Sequence, residues 1–398
     1  MNILFLCHRF PYPPNRGGKI RPFNMIRHLS RDHAVTVGTL AHSREELKAG
    51  EKLKDHCEEV IAEVLPSSVR WAQALQALPA STPSSVAYFH SARLRQRLLQ
   101  AWQEKHFDAV WVHCAFAAQY VPQLRGGFRV LDYGDLDSFK WAEYAQRRAW
   151  PLAWGYALEA RKLRRFEKEI ARCFQQITVT TAGELEAFNN LGIDLPCRVI
   201  VNGVDLEYFR PPVSRPAASQ VIAFLGRMDY FPNIDAVTYF ARQVLPAIRQ
   251  ALPHVEFRII GSNPTKRVRA LATEAGITVT GYVKDVRPFL QDVAVGVVPV
   301  RIGRGTQNKM LESMAMGIPT VASGTAAKGI QAVSGKHFLM AETPHDFAQK
   351  VIELLQSPGL RAKLAAAART QVEGTHNWQV SLRKMDAILE GVLSSPGR

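Results

Sequence analysis

Short apolar runs alternate with helical patterns along most of the chain, and this rhythm restricts the fold more than any other feature. The first half carries the runs NILFLC, AVTVGTL, DAVWVH, FRVLDY and QITVTT, and the second half carries VIAFLG, VEFRIIG, ITVTG, VAVGVVPV and PTVA. Strands separated by helices are typical of a parallel sheet with helices on its faces. The two series predict an α/β chain of two doubly wound, Rossmann-like domains. A length of 398 residues with 47% hydrophobic content suffices for two cores.

A proline-bearing stretch from Phe209 to Ser219 has the composition of a linker. We therefore place the domain boundary just before it, near Cys197. The N-terminal domain is predicted to span residues 1–197, and the C-terminal domain residues 198–376.

The net charge of +15 is spread over the chain, since residues 1–200 hold 27 basic and 20 acidic side chains and the remainder holds 23 and 15. Such a balance favours anionic partners, namely sugar nucleotides, lipid diphosphates, an acidic membrane surface or nucleic acid. The sequence contains no zinc finger, basic zipper or RNP-like aromatic motif. We therefore predict no nucleic-acid partner.

The five cysteines form no CxxC pair or regular spacing, so neither a zinc site nor a disulfide framework is indicated. A reducing cytoplasm is the expected compartment. The apolar start ILFLC is followed at once by His8, Arg9 and three prolines, so it is too short for a signal peptide or a membrane span. It predicts a first buried strand.

The stretch from Arg301 to Ala322, RIGRGTQNKMLESMAMGIPTVA, joins a glycine-rich turn to an apolar helix. We predict that the helix begins between Gly305 and Gln307. Unpaired backbone N–H groups and the positive end of the helix dipole would bind phosphate there.

Lys309 and Glu312 are three residues apart and share a face of this helix. A cation directed at phosphates would then lie one turn before a carboxylate that can accept the two hydroxyl protons of a ribose. In the alternative interpretation, these two side chains only pair with each other. Arg227 closes the strand VIAFLG and is the predicted diphosphate ligand, because a guanidinium is suited to phosphate oxygens. A surface salt bridge is its alternative role.

These segments resemble the GT-B glycosyltransferases of family four, which are retaining enzymes that use sugar nucleotides. The resemblance rests on HRFPYPPNRGGKIRPFNMIRHL, VNGVDLEYFRP, FLGRMDYFPNIDAV and LESMAMGIPTV. More narrowly, GDLDSFKW, MDYFPNIDAV and RGTQNKMLESMAMG resemble the sugar transferases associated with exosortase and PEP-CTERM systems. The family implies two domains facing across a cleft and a last helix, residues 377–398, that crosses back onto the first domain.

The resemblance also implies the reaction. A sugar would pass from a nucleotide-diphosphate sugar to a sugar or lipid-linked glycan acceptor with retention of configuration, in exopolysaccharide or lipid-linked glycan biosynthesis. We expect no cofactor and no metal, because Arg227, Lys309 and the helix N-terminus would stabilise the charge of the leaving diphosphate. In the turn before the helix we expect donor contacts from Arg304, Gly305, Thr306 and Asn308.

Two positions depart from the family pattern. The wider family has a Glu eight positions before the helix Glu, where this chain has Arg304. The usual lysine six positions after the strand-end glycine is replaced by Pro232. Our hypothesis is that Lys309 and Arg304 supply the missing cationic charge.

In the first domain, residues that follow predicted strands are candidates, because ligands of α/β sheets bind at the carboxyl ends of the strands. Gly17 and Gly18 would let backbone amides approach the donor phosphate or the acceptor, although a plain turn explains the pair equally well. His8 and His113 both end strands, and a lone His there is often structural. The family resemblance favours His113, near the transferred sugar.

Asp135 and Asp137 form a D-x-D pair, which holds a metal in the other large glycosyltransferase fold. We predict instead that one of them caps the following helix, SFKWAEYAQRRAW, and that the other could line the acceptor cleft.

The segment from Lys140 to Arg172 holds nine basic and four acidic residues together with Trp141, Trp150 and Trp154. Such a segment could rest on the inner face of an anionic membrane, which would make the protein peripheral. In the alternative interpretation, it is a domain helix whose aromatic residues belong to the core.

Two other functions fit the same motifs. An epimerase or hydrolase acting on a nucleotide sugar could use the same fold and phosphate site. With Arg304 in place of the usual Glu, the chain could instead bind a sugar nucleotide without catalysis and regulate an assembly complex.

Overall fold

The computed structural model describes residues 1–214, 216 and 218–393. The chain forms two compact units, which consist of residues 1–201 with the segment from Leu382 onward, and of Asn202–Ser381. The boundary thus follows residue 201, four residues after the predicted position. The predicted linker includes residues 215 and 217, and the predicted last helix includes residues 394–398, all of which lie outside the described residues.

The first unit contains a seven-stranded parallel sheet in the order β3-β2-β1-β4-β5-β6-β7. Its strands are Asn2–Cys7 (β1), Ala34–Ala41 (β2), Glu59–Val64 (β3), Ala109–His113 (β4), Phe128–Gly134 (β5), Gln176–Val179 (β6) and Cys197–Val199 (β7). Strand β1 is flanked on both sides, with Ile3 opposite Val35 on one side and Ala109 on the other. Its continuous apolar sequence fits a strand that is buried on both faces.

Helices cover this sheet. They are Gly17–Leu29 (α1), Arg44–Ala49 (α2), Ser67–Gln76 (α3), Ser84–Tyr88 (α4), Ala92–Lys105 (α5), Ala115–Ala118 (α6), Asp137–Gln146 (α7), Leu152–Ala171 (α8) and Ala182–Asn189 (α9), with 3₁₀ turns at Glu51–His56 and Val121–Gln123. The core between the layers is made mainly of aliphatic strand residues such as Leu4, Val112 and Leu131.

The second unit contains a six-stranded parallel sheet in the order β10-β9-β8-β11-β12-β13. Its strands are Val221–Leu225 (β8), Glu256–Ile260 (β9), Ile277–Val279 (β10), Val293–Val298 (β11), Thr320–Ala322 (β12) and Leu339–Met340 (β13). Its helices are Phe231–Tyr239 (α10), Leu245–Ala251 (α11), Lys266–Arg269 (α12), Asn308–Ala315 (α13), Gly324–Ala327 (α14), Pro344–Gln356 (α15), Pro358–Thr375 (α16) and Trp378–Leu393 (α17). A π-helical turn at Phe240–Val244 joins α10 to α11, and 3₁₀ turns lie at Ala270–Thr273 and Arg287–Phe289.

Helix α13 packs closely against the second sheet. Its apolar face, formed by Met310, Leu311 and Met314, is fully buried. A glycine in β11 permits the close approach, since a Cβ at Gly296 would lie 3.2 Å from the hydroxyl of Ser313. The start of α13 is therefore held at the carboxyl edge of the sheet.

From Leu382 onward, α17 belongs to the first unit. There the carboxylate of Asp386 lies 2.8 Å from Nε2 of His28, and Lys384 donates to the carbonyl of Val199 at 2.9 Å. Each unit is thus a doubly wound parallel sheet, as the alternation of apolar runs and helical patterns predicts.

Candidate functional site

The second sheet reverses its winding direction between β8 and β11. The chain passes from β8 outward to β9 and β10, and then returns to place β11 on the other side of β8. Ligands of open α/β sheets bind at such a reversal, beyond the carboxyl ends of the strands. The loops after β8 and β11 flank this point, and they carry the predicted donor residues.

Helix α13 begins at Asn308 with Gln307 in the N-cap position, one residue beyond the predicted range. Within the described residues no side chain caps the first amides, and the first turn contains no acidic residue. Exposed amides at the positive end of a helix dipole bind anions. Phosphate binding at this helix start stays a prediction.

Two side-chain atoms at this helix start are buried without a hydrogen-bond partner in the described part of the chain. They are the hydroxyl oxygen of Thr306 and the amide oxygen of Asn308. An unsatisfied buried polar atom typically costs about 1 to 3 kcal/mol. The Thr306 hydroxyl could donate to a phosphate oxygen, and the Asn308 oxygen could accept from a ligand hydroxyl.

Lys309 and Glu312 form no direct ion pair within the described structure. The Lys309 amino group instead donates to Oε1 of Gln307 at 2.8 Å and lies 5.6 Å from the centre of the Phe224 ring. Burial lowers the pKa of Lys309 to about 8, although Glu312 acts in the opposite direction. Burial raises the pKa of Glu312 to about 7 despite the nearby Lys309. The interpretation in which the two only pair with each other does not describe this geometry.

Arg227 follows β8 as predicted, but its guanidinium already forms an ion pair within the protein. Its Nε lies 3.1 Å from Oδ1 of Asp229, and its Nη2 contacts Oδ2 of the same carboxylate. Asn263 also donates to Asp229, at 3.3 Å. This is the surface salt bridge of the alternative interpretation, so a diphosphate would have to displace or share Asp229.

Arg304 and Gly305 lie in the loop between β11 and α13. The carbonyl of Gly305 is so close to Gly329 that a Cβ on Gly329 would lie 2.7 Å from it. Nearby, Arg301 pairs with Asp235 at 2.7 Å. The loop is thus packed against the segment that follows α14.

The position of Pro232, where the family lysine is missing, is the second residue of α10 and is buried. The next residue, Asn233, donates to the carbonyl of Arg227 at 2.8 Å, while its amide oxygen is buried with no partner among the described residues. Sequence reasoning missed Asn233. The available signal is a polar amide between the apolar residues Pro232 and Ile234 at the start of a predicted helix.

The first sheet reverses its winding direction between β1 and β4. His8 follows β1, and His113 is the last residue of β4. Both rings are buried, and their centres lie 6.2 Å apart. The structure thus brings both predicted histidines to the point where a ligand of this unit would bind.

A buried network fixes the His113 ring. Its Nδ1 lies 2.7 Å from Oδ2 of Asp132, which also accepts from Arg21 Nε at 2.8 Å. The other carboxylate oxygen accepts from Arg21 Nη2 at 2.7 Å and from Thr178 at 2.8 Å. Burial raises the pKa of Asp132, but Arg21 and His113 together outweigh burial and hold it well below its ordinary value. Because an ionised carboxylate only accepts, Nδ1 of His113 donates and Nε2 is left for a ligand.

Sequence reasoning missed Arg21 and Asp132. Asp132 lies in the predicted strand FRVLDY, where a fully buried carboxylate is rare unless it is paired. That charge inside an apolar run is the available signal. Its partner is 111 residues away and cannot be found from local pattern.

Gly17 and Gly18 form the first turn of α1. Arg16 occupies the N-cap position without capping the helix through its side chain, and a Cβ on Gly18 would lie 3.8 Å from Cδ of Arg9. The two glycines open a helix, and they do not form a separate plain turn. Their role toward a ligand stays a prediction.

The capping role predicted for Asp135 or Asp137 is wrong. The N-cap residue of α7 is Leu136, and its amide donates to Glu184 at 2.8 Å. The amide of Ser138 donates to Glu167 at 3.1 Å, so carboxylates from other helices satisfy the first turn.

The two aspartates have different surroundings. Asp135 is held by the hydroxyl of Thr180 at 2.8 Å, and burial raises its pKa. Asp137 pairs with Lys140 at 3.3 Å and lies 3.8 Å from the thiol of Cys114, next to His113. Asp137 therefore lies beside the first unit's candidate site.

The described residues contain no group of three or more His, Cys, Asp or Glu side chains arranged to hold a metal ion. All five cysteines are unpaired. Within the same residues, no helix combines the length and apolar character needed to cross a bilayer.

Residues 219–357 match the family model for glycosyl transferases group 1. The matched range contains all the predicted donor residues of the second unit. No curated protein matches the chain.

The solved structures that are similar to this chain have the GT-B fold, which confirms the fold predicted from sequence. Sucrose-phosphate synthase from Thermosynechococcus elongatus is 16% identical over 99% of both chains, with a TM-score of 0.72. Alr3699/HepE of Anabaena in complex with UDP is 14% identical, with 98% of this chain and 100% of that chain covered and a TM-score of 0.70. The N-terminal domain of Candida albicans trehalose-6-phosphate phosphatase is 11% identical, with coverages of 98% and 96% and a TM-score of 0.68.

Proposed function

We propose that this protein transfers a glycosyl group from a nucleotide-diphosphate sugar to a hydroxyl acceptor. The observation that carries the proposal is the start of α13, where a partly buried lysine and an unsatisfied hydroxyl lie beside helix amides that no side chain caps. The match of residues 219–357 to glycosyl transferases group 1 supports it. The similar HepE structures contain UDP or UDP-glucose, which are donor-type ligands of that protein.

In the proposed reaction, the bond between the anomeric carbon and a diphosphate oxygen breaks, and the acceptor oxygen takes its place. The acceptor proton leaves with the diphosphate. Negative charge therefore develops at the start of α13, where Lys309 and the helix amides would stabilise it. Arg227 would join them after releasing Asp229. These groups would perform the task of a metal ion, so we propose metal-independent transfer without a cofactor.

Glu312 would bind the ribose of the donor. A carboxylate accepts hydrogen bonds from both hydroxyls of a diol, whereas a protonated carboxyl group accepts less well. Because burial raises the pKa of Glu312 to about 7, ribose binding should favour the ionised form and depend on pH near neutrality.

His113 would bind the transferred sugar through a hydrogen bond. Asp132 holds its Nδ1, so Nε2 can bond a sugar hydroxyl from a fixed position. Asp135, Asp137, Gly17 and Gly18 surround the same edge of the first sheet and would contact the acceptor or the donor phosphate.

The finer parts of the proposal rest on the family resemblance, except that the location rests on the cysteine pattern and on the basic segment from Lys140 to Arg172. They are retention of configuration, a lipid-linked or polysaccharide acceptor, a role in exopolysaccharide synthesis, kinship with the PEP-CTERM-associated transferases, and a cytoplasmic location at the inner membrane face. An epimerase, a hydrolase and a noncatalytic regulator remain the alternatives.

A thermal-shift screen of UDP-, GDP- and ADP-sugars tests the donor site first, because a ligand of the folded state raises its apparent stability. The stabilising donor is then incubated with and without sugar acceptors, and the anomeric proton is followed by NMR. A new glycosidic product with the donor's configuration supports the proposal. Conversion of the donor without acceptor indicates an epimerase or hydrolase, and binding without any product indicates a regulator.

A further inference from the structure

The exposed large hydrophobic side chains described in the first unit lie in two short segments of the chain. Of the 13 found among the described residues, seven lie in two short segments, residues 69–78 and 150–154. We call these seven the docking face, which consists of Val69, Trp71, Leu75, Leu78, Trp150, Leu152 and Trp154.

Helix α3 turns its apolar stripe outward. Trp71, Leu75 and Leu78 are spaced by four and three residues, so they follow one side of the helix and its continuation. Their exposed fractions are 61%, 62% and 51%. Arg70 is fully buried in the same helix. This reversal of the usual pattern indicates a surface that binds something apolar.

The turn between α7 and α8 is the second part of the docking face. Trp150 is 82% exposed and Trp154 is 65% exposed, with Arg147 and Arg148 exposed just before them. Trp141, in contrast, is half-buried against Tyr156. The interpretation in which the tryptophans of this segment belong to the core is therefore wrong for Trp150 and Trp154.

Helix α8 connects the two parts of the docking face. Lys162 donates to the carbonyls of Ala77 and Leu78, at 3.1 and 2.8 Å, where α3 ends. Glu159 accepts from the backbone amides of Ser84 and Ser85 at the start of α4. The packing of α8 thus fixes α3 and α4 to the helix that begins beside Trp150.

The charge around the docking face is positive. The segment from Lys140 to Arg172 has nine basic and four acidic residues. Glu159 is occupied by helix amides, and burial raises the pKa of Glu167 to about 8, so it is largely neutral at pH 7. Aromatic and aliphatic side chains beside cations are typical of surfaces that bind anionic lipid. A second copy of the chain would instead bring cations against cations.

A row of aromatic rings leads from the docking face to the candidate site of the same unit. Trp71 contacts Tyr88 with a centroid distance of 5.3 Å, and Tyr88 contacts Phe89 at 5.0 Å. Phe89 lies 4.8 Å from His8, whose ring lies beside His113. Packed ring contacts thus connect the docking face to the histidines.

We propose that the docking face binds the surface of an anionic lipid bilayer, with Trp71, Trp150 and Trp154 inserted among the lipids. This inference adds a binding surface to the proposed transferase function and can hold without it. It makes α3 and the α7–α8 turn joint determinants of membrane association.

Vesicle flotation tests the inference in the absence of any sugar nucleotide. The wild type should float with phosphatidylcholine vesicles that contain phosphatidylglycerol, less with phosphatidylcholine alone, and less at high salt. The pairs Trp150→Ala with Trp154→Ala, and Trp71→Ala with Leu75→Ala, should each lower the partition coefficient about tenfold or more, because apolar contact area drives insertion. A wild type that stays unbound on both vesicle types overturns the inference.

Matched controls come from the second unit. Tyr282 and Val333 are 76% and 59% exposed, and the pair Tyr282→Ala with Val333→Ala should bind like the wild type. Arg147→Glu with Arg148→Glu should abolish the preference for anionic vesicles, whereas Lys336→Glu with Lys363→Glu should keep it. If the control pairs lose as much binding as the docking-face pairs, the surface is nonspecific and the inference is wrong.

The thermal-shift response to sugar nucleotides, measured on the same variants, separates the two proposals. Loss of vesicle binding with nucleotide binding intact supports a separate docking face. Vesicle binding by a wild type that responds to no sugar nucleotide contradicts only the transferase proposal.

Discussion

The polar side chains at the reversal points of the two sheets differ in whether their hydrogen bonds are satisfied within the protein. In the first unit, His113, Asp132, Arg21 and Thr178 satisfy one another within the protein. In the second unit, the hydroxyl of Thr306 and the amide oxygen of Asn308 have no partner, and burial shifts the pKa values of Lys309 and Glu312 toward neutrality. In the first unit the bonds around the Asp132 carboxylate are complete and Nε2 of His113 is left for a ligand, whereas at the start of α13 the missing bonds have to come from a ligand or water.

The contrast teaches where binding energy can be gained. A satisfied network holds its groups in position but gains little from a new partner. A ligand that bonds to an unsatisfied buried polar group removes a cost of about 1 to 3 kcal/mol for that group. Substitutions in the first unit should therefore reduce stability, and substitutions in the second should mainly reduce binding and turnover.

The largest expected effect is the loss of stability in Asp132→Ala. Removing the carboxylate takes away the ion-pair partner of the buried Arg21 guanidinium, so the free energy of unfolding should fall by about 3 to 5 kcal/mol in urea titrations. Thr178→Val removes a single neutral donor and should cost about 1 kcal/mol. Equal costs for the two variants would contradict a charge network.

The same residue gives a pH dependence of defined sign. Asp132 has a pKa below its ordinary value of 3.8 in the folded protein. Its stabilisation is therefore present above the unfolded pKa and is lost as the pH falls through the folded value.

Lys309→Ala should affect turnover more than stability. Loss of one donor that stabilises developing charge costs roughly two to three powers of ten in turnover. The exposed Lys363 provides the control, and Lys363→Ala should keep the wild-type rate. If Lys309→Ala keeps its turnover within a factor of about three of the wild type, the leaving diphosphate does not bind at Lys309.

The shifted pKa of Lys309 should also affect how the wild-type free energy of unfolding depends on pH. Its pKa is about 8 when folded and 10.5 ordinarily, so the unfolded chain binds more protons between these values. The wild-type free energy of unfolding should therefore gain a rising contribution from pH 8 to 10.5, and this contribution should be absent in Lys309→Ala.

Glu312→Gln should weaken binding of the nucleotide diphosphate about tenfold or more, because it replaces a charged hydrogen bond to ribose with a neutral one. In the wild type, affinity should rise as the pH passes upward through about 7. The variant should lack this rise in calorimetric titrations. A variant with the wild-type pH profile would remove Glu312 from the ribose site.

The folded protein holds the pKa of Glu312 above its ordinary value of 4.5, so it binds more protons than the unfolded chain between pH 4.5 and about 7. The contribution of Glu312 to stability should fall as the pH rises through this window, and Glu312→Gln should abolish that fall.

The smallest expected effect comes from Thr306→Val. Because the Thr306 hydroxyl has no partner, its replacement should leave the free energy of unfolding unchanged or raise it by up to about 1 kcal/mol. Nucleotide affinity should fall about fivefold. Thr343 caps α15 through a bond to the Asp346 amide, so Thr343→Val should instead cost about 1 kcal/mol of stability. Destabilisation by both variants would show that the Thr306 hydroxyl is satisfied.

The sequence predicts the strands that are apolar throughout. The run NILFLC coincides with β1, and VAVGVVPV contains β11. It does not reveal β3, Glu59–Val64, because this edge strand is only partly buried and its apolar residues are interrupted by two glutamates, Glu59 and Glu63. Edge strands lack the continuous apolar signal of central strands.

At the candidate sites, local pattern finds residues on one helix and misses partners that are distant in sequence. The positions of Lys309 and Glu312 follow from helical spacing. Asp229, which pairs with the Arg227 guanidinium, is only two residues away in the sequence. The direction of its side chain, however, depends on the conformation of the loop. Arg21 joins Asp132 across 111 residues, and only the assembled sheet reveals that contact.

The neutral-range pKa values of Lys309 and Glu312 have a calorimetric consequence. If the bound diphosphate favours the protonated form of Lys309 and the ribose favours the ionised form of Glu312, the lysine takes up a fraction of a proton on binding and the glutamate releases a fraction. Nucleotide binding then causes a net exchange of protons with the buffer. The apparent binding enthalpy would then change between buffers of different ionisation heat, while the affinity at fixed pH would stay the same.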